Sequence, residues 1–265
     1  MRKSLRIAAA TAACALAGGA LYGAGAATAG QSTANSTHEP YNIGLLVKDI
    51  DTYYGTTADS NGVYQASPVS PYAKDLARID ADARSYIAKA ARKARHHGEK
   101  PAVVFDVDDT LLLSLDYEKR YNYTYNPTTW NDYVNRADRP AVFGSPELVR
   151  YAESKGVEVF YNSGLSEAQR AGAVENLKKV GADVNLDAGH VFLKDKANPP
   201  AYLSDCATPG TWNCTTVQYK AGTREHIEDD LGFDIIANFG DQYSDLDGGH
   251  ADRTYKLPNP TYFVE

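Results

Sequence analysis

Two carboxylates spaced i, i+2 directly after an apolar run are the clearest chemical signal in the chain: Pro101-Ala102-Val103-Val104-Phe105 leads into Asp106-Val107-Asp108-Asp109-Thr110. In an extended strand that spacing puts Asp106 and Asp108 on the same side of the pleat, facing one crevice. Paired carboxylates repel, so each needs a proton, a lysine or a metal ion to neutralise it. Asp109 is expected to turn away, because its neighbours on either side point inward. Other apolar runs also end in polar residues, Asn162-Ser163-Gly164 and Gly240-Asp241-Gln242-Tyr243-Ser244-Asp245. Taken alone, Asp241 and Asp245 fit a turn and a helix cap. Their place after a second apolar strand favours joint use with Asp106. Lys220 lies between these segments with Arg224 one helical turn on, and Lys194 and Lys196 compete with it as the cation of the site.

The elements that must position these residues follow from hydrophobic period. Short apolar runs at 101–106, 156–161, 190–193 and 233–239 read as strands buried on both faces. Between them lie helical patterns: 70–98, with Pro71 at its start and Gly98 at its end, then 145–156, 166–181 with Ser166 and Gln169 as a capping box, and 223–231. Strands alternating with helices imply an α/β fold, a three-layer sandwich with a mostly parallel sheet. In such sheets ligands sit outside the carboxyl ends of the strands. Residues 115–142, rich in Tyr, Asn and Arg, break the alternation and read as an insertion over that edge. Its Tyr117, Tyr121, Tyr123, Tyr125, Trp130 and Tyr133 either form a small core of their own or stack on a leaving group. His190, His226 and His250 share no ligand spacing.

The 265-residue chain has a formal charge of −7. An acidic surface argues against a nucleic-acid polymer as partner and requires any phosphate site to concentrate positive charge locally. Arg2, Lys3 and Arg6, the Ala/Leu-rich run 7–21 and Ala27-Thr28-Ala29 read as a secretory leader cleaved after Ala29. That reading gives a secreted product, periplasmic where the cell has an outer membrane, without a stable membrane anchor. Cys14 leaves with the leader, and Cys206 with Cys214 then reads as a disulfide closing a surface loop. The expected organisation is a leader at 1–29, an N-terminal extension at 30–69 and the α/β domain at 70–265.

The order of acid, hydroxyl, lysine and paired acids resembles the haloacid dehalogenase superfamily, whose motifs read D-x-D-x-T, a strand-terminal Ser or Thr, a Lys, and G-D-x-x-x-D. Phe105 to Leu112, Tyr219-Lys220, Gly240 to Leu246 and Lys256-Leu257-Pro258-Asn259-Pro260 are similar to its class B-type acid phosphatase branch, subfamily IIIB, related to plant vegetative storage proteins. The resemblance implies a Mg²⁺-dependent acid phosphatase acting on small-molecule phosphate monoesters. By that resemblance Asp106 is the nucleophile and Asp108 the acid and base. Asp106, Asp108 through its backbone carbonyl, Asp241 and Asp245 hold the metal. Ser163 and Lys220 bind phosphate, and Thr110, grouped with them, positions the loop. One departure is Ser163-Gly164-Leu165, where relatives often carry Thr-Gly-Arg. A storage or binding protein of the same fold, or a phosphotransferase, are the alternatives, and the sequence leaves natural substrate and oligomeric state open.

Overall fold

The computed structural model describes residues 40–265; the expected leader and Cys14 lie outside them. In chain order the elements are α1 (Ile43–Tyr54), β1 (Thr57–Ala58), β2 (Tyr64–Gln65), α2 (Pro71–His96), β3 (Pro101–Phe105), α3 (Leu115–Arg120), α4 (Pro127–Asn135), α5 (Ser145–Ser154), β4 (Glu158–Ser166), α6 (Arg170–Val180) and β5 (Val191–Lys194). They continue with β6 (Ala207–Thr208), β7 (Thr211–Trp212), α7 (Thr216–Asp229), β8 (Asp234–Gly240), α8 (Tyr243–Leu246) and β9 (Thr254–Lys256).

Five strands pair in the order β5-β4-β3-β8-β9, every pair parallel. Because successive side chains of a strand point to opposite faces, β3 feeds two cores. Val103 and Phe105 pack with Ile87 of α2 and Val149 of α5. Ala102 and Val104 pack with Ile227 of α7 on the other face. The expected three layers are thereby built. From β3 the chain proceeds to β4 on one side and returns in β8 on the other. That reversal opens a crevice at the carboxyl ends of β3 and β8.

Three elements differ from the sequence expectation. Helix α7 begins at Thr216, not 223, because Thr215 and Gln218 form a capping box: Gln218 N donates to Thr215 Oγ1 at 3.1 Å and Thr215 N to Gln218 Oε1 at 2.9 Å. Lys220 therefore sits on a helix. Strand β4 runs on to Ser166, with its pairing to β5 irregular between Asn162 and Ser166. Within residues 40–69, α1 is a capped helix whose Tyr54 ring lies 4.5 Å from that of Tyr72 on α2.

Cys206 and Cys214 are disulfide-bonded across the β6–β7 hairpin, as expected. Among the described residues no helix is long and apolar enough to cross a membrane.

Candidate active site

Asp106 is the first residue beyond β3, and its backbone N continues the ladder by donating to Phe239 O of β8 at 2.9 Å. The chain then turns sharply. Asp109 takes a left-handed φ of 54° and its N donates to Leu112 O at 2.8 Å. Asp106 and Asp108 both face a cavity of about 910 Å³, a size suited to a small-molecule ligand. The same turn sends Asp109 the other way, where Ser114 donates to its carboxylate from backbone and hydroxyl.

Lys220 Nζ donates to Asp106 Oδ1 at 2.6 Å, lies 2.9 Å from Asp245 Oδ1, and also donates to Asn162 O. Asp241 accepts at Oδ2 from Gln242 Nε2 at 2.6 Å and from Asn259 Nδ2 at 2.7 Å. Arg224 fixes the segment that carries Asp245, donating to the carbonyls of Asp245, Asp247 and Gly249 at 2.5–2.9 Å. Gly240 permits the closest approach: a Cβ there would stand 2.4 Å from that of Asp245.

Asp106, Asp241 and Asp245 each offer a carboxylate oxygen within 4.8 Å of the others. Three buried acids against one lysine leave an excess of negative charge. Burial, then Asp245, push Asp106 up to about 7 despite Lys220. Burial, then Asp106 and Asp245, push Asp241 well above the carboxylate range. Burial opposes the charge on Lys220, but Asp106 and Asp245 outweigh it and raise its pKa. A hard divalent cation among these oxygens fits both donor type and charge. The Asp108 side chain lies outside that cluster: Oδ1 accepts from Arg139 Nη1 at 2.5 Å.

Two expected phosphate-side residues are placed differently from the reading of the sequence. Thr110 does not line the cavity; beyond the turn at Asp109 its hydroxyl faces Asp241 Oδ1 at 3.4 Å, behind the acids. Ser163 is fully buried and its hydroxyl accepts from Leu165 N at 3.2 Å, so the wall there is made by Gly164, Leu165 and Ser166.

The insertion roofs the cavity. Tyr117 packs against Tyr121, Trp130 and Tyr133 at centroid distances of 4.6–5.2 Å, forming a small aromatic core. Tyr123, Tyr125 and Trp130 line the cavity. Four participants were missed: Arg139, Glu118, Asn259 and the wall at 261–264. Glu118 is buried at the cavity edge, where burial and then Asp109 raise it to about 8. Lys-Leu-Pro-Asn-Pro was visible as a string, but nothing in its composition signalled that Asn259 reaches Asp241.

A family model described as HAD superfamily, subfamily IIIB (Acid phosphatase), matches residues 57–265. The chain is 31% identical over 165 residues to "Acid phosphatase 1" of Solanum lycopersicum, covering 61% of this chain and 58% of the relative. It is 32% identical over 168 residues to "Vegetative storage protein 1" of Arabidopsis thaliana, covering 61% and 54%. The chain spans less than two thirds of the length of each plant relative it matches. The class C acid phosphatase from Bacillus anthracis shares the fold, with a TM-score of 0.52 and 24% identity over 70% of this chain and 78% of that one.

Proposed function

Because the chain belongs to the acid phosphatases of HAD subfamily IIIB, we propose that it is a secreted, Mg²⁺-dependent phosphatase that hydrolyses phosphate monoesters through an aspartyl-phosphate on Asp106. The observation that carries this reading is the convergence of Asp106, Asp241, Asp245 and Lys220 on the floor of one cavity at the switch point of the sheet.

Hydrolysis of a phosphate monoester is very slow uncatalysed, and its transition state spreads charge over equatorial oxygens. Positioning and positive charge are therefore the main requirements. A Mg²⁺ ion held by Asp106, Asp241 and Asp245 supplies charge neutralisation to an anionic nucleophile meeting an anionic substrate. In the first step an Asp106 carboxylate oxygen attacks phosphorus and the P–O ester bond breaks. Protonated Asp108 gives its proton to the departing oxygen. In the second step Asp108 takes a proton from water, the water oxygen bonds to phosphorus, and the bond from phosphorus to Asp106 breaks. Inorganic phosphate leaves and both acids are restored.

Arg139 holds Asp108 at the cavity rim between these steps. Asn259 and Gln242 occupy one oxygen of Asp241 and so orient the other. The leader-like N-terminus and the disulfide support export. Assay of the purified protein with an aryl phosphate and Mg²⁺ tests the reading: turnover is expected, with loss in Asp106→Asn and reversible loss on chelation. A chain that binds phosphate without turnover would instead be a storage or binding protein. Transfer of the phosphoryl group to an added alcohol would identify a phosphotransferase.

A further inference from the structure

Glu118, on α3, is only 7% exposed and lines the same cavity as Tyr123, Tyr125 and Trp130. Its carboxyl has no hydrogen-bond or ion-pair partner among the described residues. The basic residues of the insertion are engaged elsewhere: Lys119 pairs with Asp51, Arg120 with Asp116, Arg136 with Asp138 and Arg139 with Asp108. A buried carboxyl without a partner is costly. One that faces a ligand cavity is placed to take its partner from the ligand.

Charge is divided between the walls of the cavity. Its lysines, Lys194, Lys196 and Lys220, come from the end of β5 and from α7, whereas the insertion lines it with aromatic rings and Glu118 and, among the described residues, with no cation. Aromatic faces attract cations through the ring quadrupole, Trp most strongly. A ligand that is anionic at one end and cationic at the other matches this division. The formal charge of −7 on the chain points the same way, because it repels a ligand carrying further negative charge.

We propose that this site takes the phosphate monoesters of amino alcohols, with Glu118 pairing with the ammonium of the leaving group and Tyr123, Tyr125 and Trp130 giving that ammonium an aromatic surface. The inference rests on the phosphatase reading and names a substrate class for the same site. In the empty cavity burial, then Asp109, raise the Glu118 carboxyl to about 8, while Ser114 holds Asp109 in place from backbone and hydroxyl. An arriving ammonium takes the place of the proton on Glu118, so recognition strengthens as pH rises towards 8. The P–O ester bond breaks as for any ester attacked by Asp106, and the protonated amino alcohol departs.

The experiment is steady-state hydrolysis by the full chain with Mg²⁺ of two matched pairs: phosphocholine against neohexyl phosphate, its uncharged carbon isostere, and phosphoethanolamine against propyl phosphate. In at least one pair kcat/KM for the charged ester is expected to exceed that for the isostere roughly 10- to 100-fold near pH 8, and by less at acid pH. Glu118→Gln should cut this preference about tenfold and flatten its pH dependence, and Tyr125→Leu, at an exposed ring, should cut it about threefold. Each preference is a ratio within one variant, so a general loss of activity cancels, and Tyr125→Leu decides if Glu118→Gln fails to fold. The proposal is overturned if neither ammonium ester is preferred, if Glu118→Gln or Tyr125→Leu keeps the full preference, or if the preference grows towards acid pH. Turnover of an aryl phosphate without preference for either ammonium ester sinks this proposal and leaves the phosphatase reading standing. If no ester is turned over, that reading fails, and calorimetric binding of phosphocholine against neohexyl phosphate decides the role of Glu118.

Discussion

Arg139, with none of its side chain exposed, donates from Nη1 to Asp108 Oδ1 at 2.5 Å, tying the insertion to the loop that follows β3. Its Nε and Nη2 have no hydrogen-bond partner, so Asp108 is the contact that compensates this buried charge. Truncating Arg139 leaves Asp108 free to leave the rim, and small misplacements of a proton-transfer group are costly. Arg139→Met is expected to lower kcat about 10- to 100-fold with little change in KM, measured by steady-state hydrolysis of an aryl phosphate. Asp108→Ala should also destabilise the fold, by about 3 kcal/mol, because it strands the guanidinium; denaturant melts check this.

Asp106 and Glu118 give the metal-free protein a specific pH dependence. Their folded-state pKa values rise from 3.8 to about 7 and from 4.5 to about 8. Between the ordinary and the raised values the folded chain keeps protons that the unfolded chain has lost, so stability falls as pH rises. The contribution is complete below about pH 4 and gone above about pH 8. Melts of the chelated protein should fall steadily across that window. Added Mg²⁺ should raise the midpoint more at pH 8 than at pH 5, since it competes with protons for Asp106. A chelated protein that gains stability towards pH 8 would contradict this.

Gly240 is required by packing. A Cβ there meets Asp245 Cβ at 2.4 Å and Oδ2 at 2.8 Å, so Gly240→Ala must displace the Asp245 carboxylate, a metal ligand in the proposed function. A loss of about 1–3 kcal/mol and a higher Mg²⁺ requirement are expected, read by melts and by activity against metal concentration.

Asn259 donates to Asp241 Oδ2, and under the proposed function it would act on the metal at one remove. Asn259→Ala is expected to weaken Mg²⁺ binding about 10- to 100-fold, as loss of such orienting partners does elsewhere. Activity at saturating Mg²⁺ should largely return, which separates a positioning role from a catalytic one.

What the sequence made legible was whatever sits at a strand end. Asp106, Asp108, Asp241 and Asp245 each follow an apolar run, so the strand period and the sheet's edge locate them together. The phosphate-side roles of Thr110 and Ser163 come from the family resemblance instead, and single-residue geometry leaves both out of the cavity lining. The left-handed Asp109 reverses the chain before Thr110, and the irregular end of β4 turns the Ser163 hydroxyl onto its own backbone. Arg139 and Asn259 were hidden because their partners are distant in sequence, Arg139 being 31 residues from Asp108 and Asn259 18 from Asp241. The early start of α7 was signalled by Thr215 and Gln218, a capping pair overlooked because Val217 and Gly222 weaken the helical pattern.

The most direct test of the central claim is acid-quenched mass analysis of the protein after mixing with an aryl phosphate and Mg²⁺, using Asp108→Asn to slow release of the intermediate. The account requires one added phosphoryl group on the peptide containing Asp106, absent from Asp106→Asn and absent without metal. Steady turnover in Asp106→Asn, or a phosphoryl group found on another residue, would contradict it.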